Sequence, residues 1–447
     1  MNGIHIFHRN RLGASCPKQY VLSAVIILAG IIVAPHSACA TDAASSGKTV
    51  FVRVGIPCNG QVTLGSGTAG ELLQIGEDLK LDHAQFCVGE DGEIACVGPD
   101  GARKDLHAPI LVHLAKEVEE AGGQEAALIW LDNAKAVYKG SFELSVDSKG
   151  GLSVVNIVAL EDYVAGVVPY EIGASSPYEA LRAQAVVART EALGGLGRHS
   201  PQGFDLCATT HCQVYKGAGA ELANPMVRQA VDSTSGEVIF YGDVPAKAAN
   251  YHACCGGFTE SPGDLWGTDV PYMHTVRCNG EIDACGDGVY MSEEDVRNWI
   301  ETPDPKDYCY GSNGYRWSVV YSQEALAEIL QPVIGRGACV ESLEVAARTP
   351  RGAAVRLVIH TSSGDFEVAG EYAIRSALGG TQSVKSGVFV VNAYGDAPAK
   401  FELVGAGYGH GVGMCQYGAR AMAKQGYDYK AILEKYYPGA TVGAFRP

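Results

Sequence analysis

Strand-like and helix-like segments do not alternate regularly along this chain, which predicts an α+β protein of mixed sheets and packed helices rather than a parallel doubly wound sheet. Two further observations support this. Short Val-, Ile- and Phe-rich runs, separated by Gly-Ser, Glu-Asp-Gly and Pro-Asp-Gly turn signals, fill the segment up to about Gly150. Helical patterns then appear after Ser176 and again at the C-terminal end. The 447 residues suffice for two or three domains with sizeable cores, and 47% hydrophobic with 19% charged residues is ordinary for a globular chain.

The first 40 residues read as a leader. Arg9, Arg11 and Lys18 precede the apolar run Tyr20 to Ala34, and Ala38-Cys39-Ala40 ends it with small residues at cleavage spacing. An uncleaved anchor is the alternative, because the run is long for a signal core. His36-Ser37-Ala38 supplies no Leu-like residue ahead of Cys39, which argues against lipidation. Loss of the leader's three cations takes the formal charge from -16 to -19, a poor balance for binding nucleic acid. An exported chain meets an oxidising compartment, and 12 of its 14 cysteines follow Ala40, so several disulfides are expected.

Thr49 to Gly55 has strand character and opens a β-rich accessory segment, 41–150, with one helix expected from His113 to Glu120. Leu152 to Leu160 reads as a strand that feeds into Val167-Val168-Pro169-Tyr170-Glu171-Ile172, itself read as an apolar strand. The next helix is well signalled. Ser176 can cap it, Pro177 suits its first position, Glu179 offers a capping box, and Gly194-Gly195 can stop it. Leu181, Ala185, Ala188 and Ala192 recur on one face as a narrow small-residue stripe suited to close packing. Further on, a helix near Asn224 to Ser233 precedes an expected strand pair, Glu237 to Gly242 with Ala248 to Ala253. Within an insertion-like stretch at about 278–400, helices are expected at Ser292 to Glu301 and Gln323 to Leu330, and a strand at Ala354 to His360. Two helices close the chain, one through Lys424 and one from Tyr429 to Tyr436, within a unit taken as 151–447.

Glu171 is the lead catalytic candidate. A carboxyl in an apolar setting loses water on folding, which raises its pKa toward that of a proton donor working near neutrality. Taken without context, the same residue also reads as a solvated acid near a helix start. Gln184 and Arg189 are the polar residues the following helix could offer a ligand, although spacing alone fits surface groups on a core helix equally well. Cys207, His211 and Cys212, with His199 upstream, form a donor set that zinc would accept. A Cys207–Cys212 disulfide, or bridges to Cys254 or Cys255, fits the same cysteines. His252 near Cys254-Cys255 raises a thiol hydrolase, against which adjacent cysteines in an oxidising compartment are more often bridged. The glycine-rich stretch 405–418 lacks a Gly-Lys-Ser/Thr ending and dinucleotide spacing, so a phosphate loop is rejected. Its glycines would leave room for a polymer beside His410 and Gln416, and they equally suit a tight loop needing positive φ.

Taken together, Val167 to Glu171, Glu179 to Thr190, Cys212 to Gly217, Tyr251 to Thr259 and Gly409 to Ala419 resemble the SpoIID/LytB family of exported peptidoglycan-acting proteins. The likeness runs from about Leu152 to the C-terminus. It implies an extracytoplasmic lytic transglycosylase that cleaves peptide-stripped glycan strands, with Glu171 as single acid/base, and a role in sporulation or other wall turnover. A hydrolase would ordinarily need a second carboxylate. The resemblance also implies substrate contacts from Gln184, Arg189, Tyr215, Tyr251, Gly256, Gly257, Thr259, His410 and Gln416. It requires no cofactor for the chemistry and favours structural zinc at His199, Cys207, His211 and Cys212. A second reading from the same family is a non-catalytic glycan-binding enhancer of a partner cell-wall amidase. Any membrane contact would come through the N-terminal segment alone.

Overall fold

A computed structural model describes residues 49–115, 128–132, 135–280, 291–395 and 399–446; the leader lies outside them. The architecture is α+β with several mixed sheets, as expected. Among the described residues, no helix is long and apolar enough to cross a membrane.

Val52 and Val54 are fully buried on the strand Phe51–Ile56, and that strand sits inside the largest sheet. It pairs antiparallel with Leu152–Ala159 and parallel with Leu206–Cys207. Beyond Leu152–Ala159 the sheet continues through Ser141–Val146, Ile110–Leu114, Leu73–Ile75 and Leu79–Leu81. A six-stranded sheet, centred on Gln61–Ser66 and His83–Val88, shares its core. The helix expected from His113 is not formed at its start, because His113 pairs with Gln74 in the strand Ile110–Leu114; 116–120 lies outside the described residues.

Two helices carry the site. Helix α1 is Leu160–Val168, followed by a π-helical turn, Pro169–Gly173, and helix α2 is Tyr178–Gly194. The apolar run leading into Glu171 is thus helical, not a strand: short buried runs do not distinguish the two by periodicity. No capping box forms at α2. Pro177 occupies the cap position, while the Ser176 hydroxyl donates backward to the Ile172 carbonyl at 2.7 Å. Glu179 instead pairs with Arg182 and accepts from the Tyr429 amide at 2.8 Å. Gly195 ends the helix.

Helix α2 divides two cores. Leu181, Ala185, Ala188 and Ala192 face the first, with the sheets and α1, whereas Ala183, Val186 and Val187 face a second built with the C-terminal helices Gln416–Lys424 and Tyr429–Tyr436. Small side chains on both faces let neighbours approach closely. A third core lies between the sheets Arg316–Ser322, Phe389–Tyr394, Lys400–Ala406 and Val340–Arg348, Ala354–Thr361, Gly364–Ala369. The expected pairing of the Glu237 and Ala248 segments does not occur. Glu237–Tyr241 pairs with Thr441–Ala444, and Tyr251–His252 runs parallel to Met414–Cys415.

Candidate active site

Glu171 sits in the π-helical turn, half-buried, with Oε1 accepting from the Val214 amide at 2.7 Å. Such turns recur at functional sites because they redirect a side chain out of the regular helical ladder. Burial raises the Glu171 pKa, opposed by the Val214 amide and the Tyr251 hydroxyl, both hydrogen-bonded to the carboxylate. Burial wins, and among the described residues no second carboxylate contributes to the shift.

A chain of hydrogen bonds ends on this carboxyl. The Tyr163 hydroxyl donates to Gln213 Oε1 at 3.2 Å, and Gln213 Nε2 donates to the Tyr251 hydroxyl at 3.2 Å. That leaves the Tyr251 proton for Glu171. Gln213 and Val214 lie in a segment the sequence singles out, whereas nothing in its patterning marks Tyr163, a lone hydroxyl in an apolar helix.

The other expected substrate contacts divide. Gln184 and Gln416 are brought together in the interior, Gln416 Nε2 donating to Gln184 Oε1 at 3.2 Å. Arg189 has 0% exposure and cannot meet a polymer: its guanidinium grips both Glu161 oxygens at 2.8 and 2.6 Å and also the Glu237 carbonyl. Tyr215 is likewise interior, donating to Asn156 Oδ1 at 2.7 Å. Thr259 is buried too, its hydroxyl accepting from the Val276 amide at 2.8 Å. Gly256 and Gly257 form a buried positive-φ turn. His410 is half-buried beside His252 and Trp266, its pKa pushed down to about 3, mainly by burial. It lines a small cavity with Phe258, Glu260, Trp299 and Arg351, and Glu171 is not among the residues lining that cavity.

The strand pairing assembles the His/Cys set. Gly55 lies opposite Cys207, and a Cβ there would stand 2.6 Å from the Phe204 ring, which stacks on His199 at 5.0 Å. Cys212 Sγ is 3.4 Å from His199 Nε2 and 3.6 Å from His211 Nδ1, and Cys207 Sγ is 3.7 Å from His211 Nδ1. One donor atom from each of the four residues converges within 4.8 Å. Burial raises the Cys207 thiol, but hydrogen bonds from Thr209 and Cys212 outweigh it and hold the thiol below its ordinary value. Two imidazoles and two thiols on one point suit a tetrahedral zinc ion.

Among the described residues every cysteine is a free thiol, so the expected bridges are not formed there. Cys254 and Cys255 are buried, and His252 Nδ1 faces the Val412 carbonyl at 3.0 Å. His252 with Cys254 and Cys255 therefore does not form an accessible Cys–His pair.

Comparison with known proteins matches residues 148–241 to the family described as Stage II sporulation protein (SpoIID) and 264–413 to a domain of unknown function (DUF8618). The chain is 32% identical over 300 residues to an uncharacterized protein of Brachyspira hyodysenteriae (strain ATCC 49526 / WA1), covering 65% of this chain and 68% of that protein. It is 29% identical over 345 residues to the Amidase enhancer of Bacillus subtilis (strain 168), covering 69% of this chain but only 46% of the enhancer. It is 28% identical over 310 residues to Stage II sporulation protein D of the same organism, covering 65% of this chain and 76% of the relative. On the SpoIID match and these relatives, the chain belongs to the SpoIID/LytB family.

Proposed function

We propose that the protein acts outside the cytoplasm on peptidoglycan, cleaving peptide-stripped glycan as a lytic transglycosylase with Glu171 as its catalytic residue. The observation that carries this reading is the half-buried Glu171, raised above its ordinary pKa by burial and aimed by Val214 and Tyr251. Protonated Glu171 gives its proton to the glycosidic oxygen as the bond from the muramyl C1 breaks. The resulting carboxylate then takes the proton of the muramyl 6-hydroxyl while that oxygen bonds C1, leaving a 1,6-anhydro end and a reprotonated Glu171. One carboxyl suffices, where hydrolysis ordinarily uses two.

Tyr251 and His410, both half-buried, remain the residues proposed to line the glycan path, with the interior Gln184, Gln416, Gly256 and Gly257 shaping its wall from behind. His199, Cys207, His211 and Cys212 would hold a structural zinc, which fits their donor chemistry and would fix the loop leading to Gln213 and Val214. The likeness to a protein named Amidase enhancer favours one second reading, a glycan-binding activator of a cell-wall amidase.

Glu171→Gln separates the two. Release of anhydromuropeptides from peptide-free glycan, followed by mass spectrometry, is expected to fall at least 100-fold, the usual scale for a lost general acid. An unchanged yield in the folded variant supports the activator instead.

A further inference from the structure

We propose a second metal centre, a tetrathiolate site for one zinc ion formed by Cys255, Cys278, Cys309 and Cys415, distinct from the His199 set. The four sulfurs come from four separate stretches of chain, all are buried, and all lie within 4.8 Å of one another. Zinc bonds thiolate sulfur at about 2.3 Å, which in a tetrahedron sets neighbouring sulfurs about 3.8 Å apart. Cys255 and Cys309 stand 3.7 Å apart. Paired disulfides would join the sulfurs two by two at about 2.05 Å, with no need for all four to gather on one centre.

The surroundings are those of charged sulfur. Cys415 Sγ accepts from the Cys255 amide at 3.4 Å and the Gly418 amide at 3.3 Å, and the Tyr436 hydroxyl lies 3.2 Å from Cys278 Sγ. Four thiolates on one divalent ion carry a net charge of about -2, which such donors stabilise in a dry interior. Gly418 is required for this contact: a Cβ there would fall 1.9 Å from the Tyr436 hydroxyl and 2.8 Å from Cys278 Sγ. Cys254, beside Cys255, is not one of the four converging residues; its thiol touches Cys309 and Cys415 from outside the set, and its Sγ lies 3.5 Å from Ser312 Oγ.

The centre would act as a staple. Cys415 ends the strand Met414–Cys415 and caps the helix Gln416–Lys424, and Cys255 follows the strand paired with it. Cys278 and Cys309 belong to the 264–413 region. One ion would therefore tie that region to the wall that holds Gln416 against Gln184.

The test uses the full mature protein, purified without an affinity tag, with metal measured by inductively coupled plasma mass spectrometry. Cys309→Ser is expected to lose one zinc per chain relative to wild type, and Cys254→Ser none. Alkylation of the wild type in denaturant with chelator and no reductant, read by peptide mapping, is expected to modify all four cysteines. If Cys309→Ser fails to fold, His211→Ala, which breaks the other donor set, decides the matter: it is expected to keep one zinc per chain, and none kept overturns the proposal. Disulfide-linked peptides joining any two of the four, iron in place of zinc, or an unchanged zinc content in folded Cys309→Ser overturns the proposal.

Discussion

Glu171 owes its ionisation to a contest in which each side has a named atom. Burial favours the neutral acid; the Val214 amide and the Tyr251 hydroxyl favour the carboxylate. Tyr251→Phe removes one supporter of the charged form, so the Glu171 pKa rises further. Because the first step of the proposed reaction needs the protonated acid, the alkaline limb of kcat/KM on peptide-free glycan is expected to move to higher pH in this variant. The lost hydrogen bond should also cost about 1 kcal/mol of unfolding free energy. A limb that stays in place or moves to lower pH refutes Tyr251 as the positioning residue. The apolar neighbours of Glu171 made its desolvation legible in the sequence, since they are adjacent in the chain. Arg189 shows the reverse. Helical spacing gives the face of a residue but not what covers that face, and the cover here is Glu161, 28 residues earlier.

At the scale of elements, that pair joins the first turn of α1 to the middle of α2. Arg189 is wholly buried, and its other partners are carbonyls of Ala185, Val231 and Glu237. Glu161→Gln leaves a buried cation without its counter-charge. The expected loss is about 3 kcal/mol, the lower end for breaking such a pair, because Glu161 keeps some contact with water. Urea unfolding monitored by circular dichroism checks this; a loss under about 1 kcal/mol would mean the carbonyls alone satisfy the guanidinium. Helix positions were largely legible, the expected starts at Asn224 and Ser292 falling on the residues that cap Pro225–Asp232 and Glu293–Glu301, although the cap expected of Ser176 does not form. The strand pairings were not. Tyr251–His252 finds its partner at Met414–Cys415, and no local signal encodes a contact across that separation.

The same limit operates on the whole molecule, where a boundary at 150 looks natural in composition yet cuts through one continuous sheet. Phe51–Ile56 is flanked on both sides by strands from beyond that point, Leu152–Ala159 and Leu206–Cys207. Arg53 strengthens the junction, its amide donating to Asp205 at 3.0 Å and its guanidinium pairing with Glu143. Removing 41–150 would expose the ladder groups of Leu152–Ala159 and strip Val52, Val54, Leu64, Phe86 and Phe142 from the core that also holds Val164, Leu181 and Ala188. Each large apolar side chain lost costs about 1.5–3 kcal/mol of burial, so these five alone remove about 7.5–15 kcal/mol, as much as the about 5–15 kcal/mol by which a folded protein is held together. The fragment 151–447 is therefore expected to be aggregated or to lack a cooperative thermal transition. Because Cys207 lies opposite Gly55, the fragment should also lose the order of the His199, Cys207, His211 and Cys212 set and with it metal retention there. Differential scanning calorimetry on the fragment beside the full chain checks this. A soluble fragment melting within a few degrees of the full chain would show that 151–447 stands without its N-terminal strands.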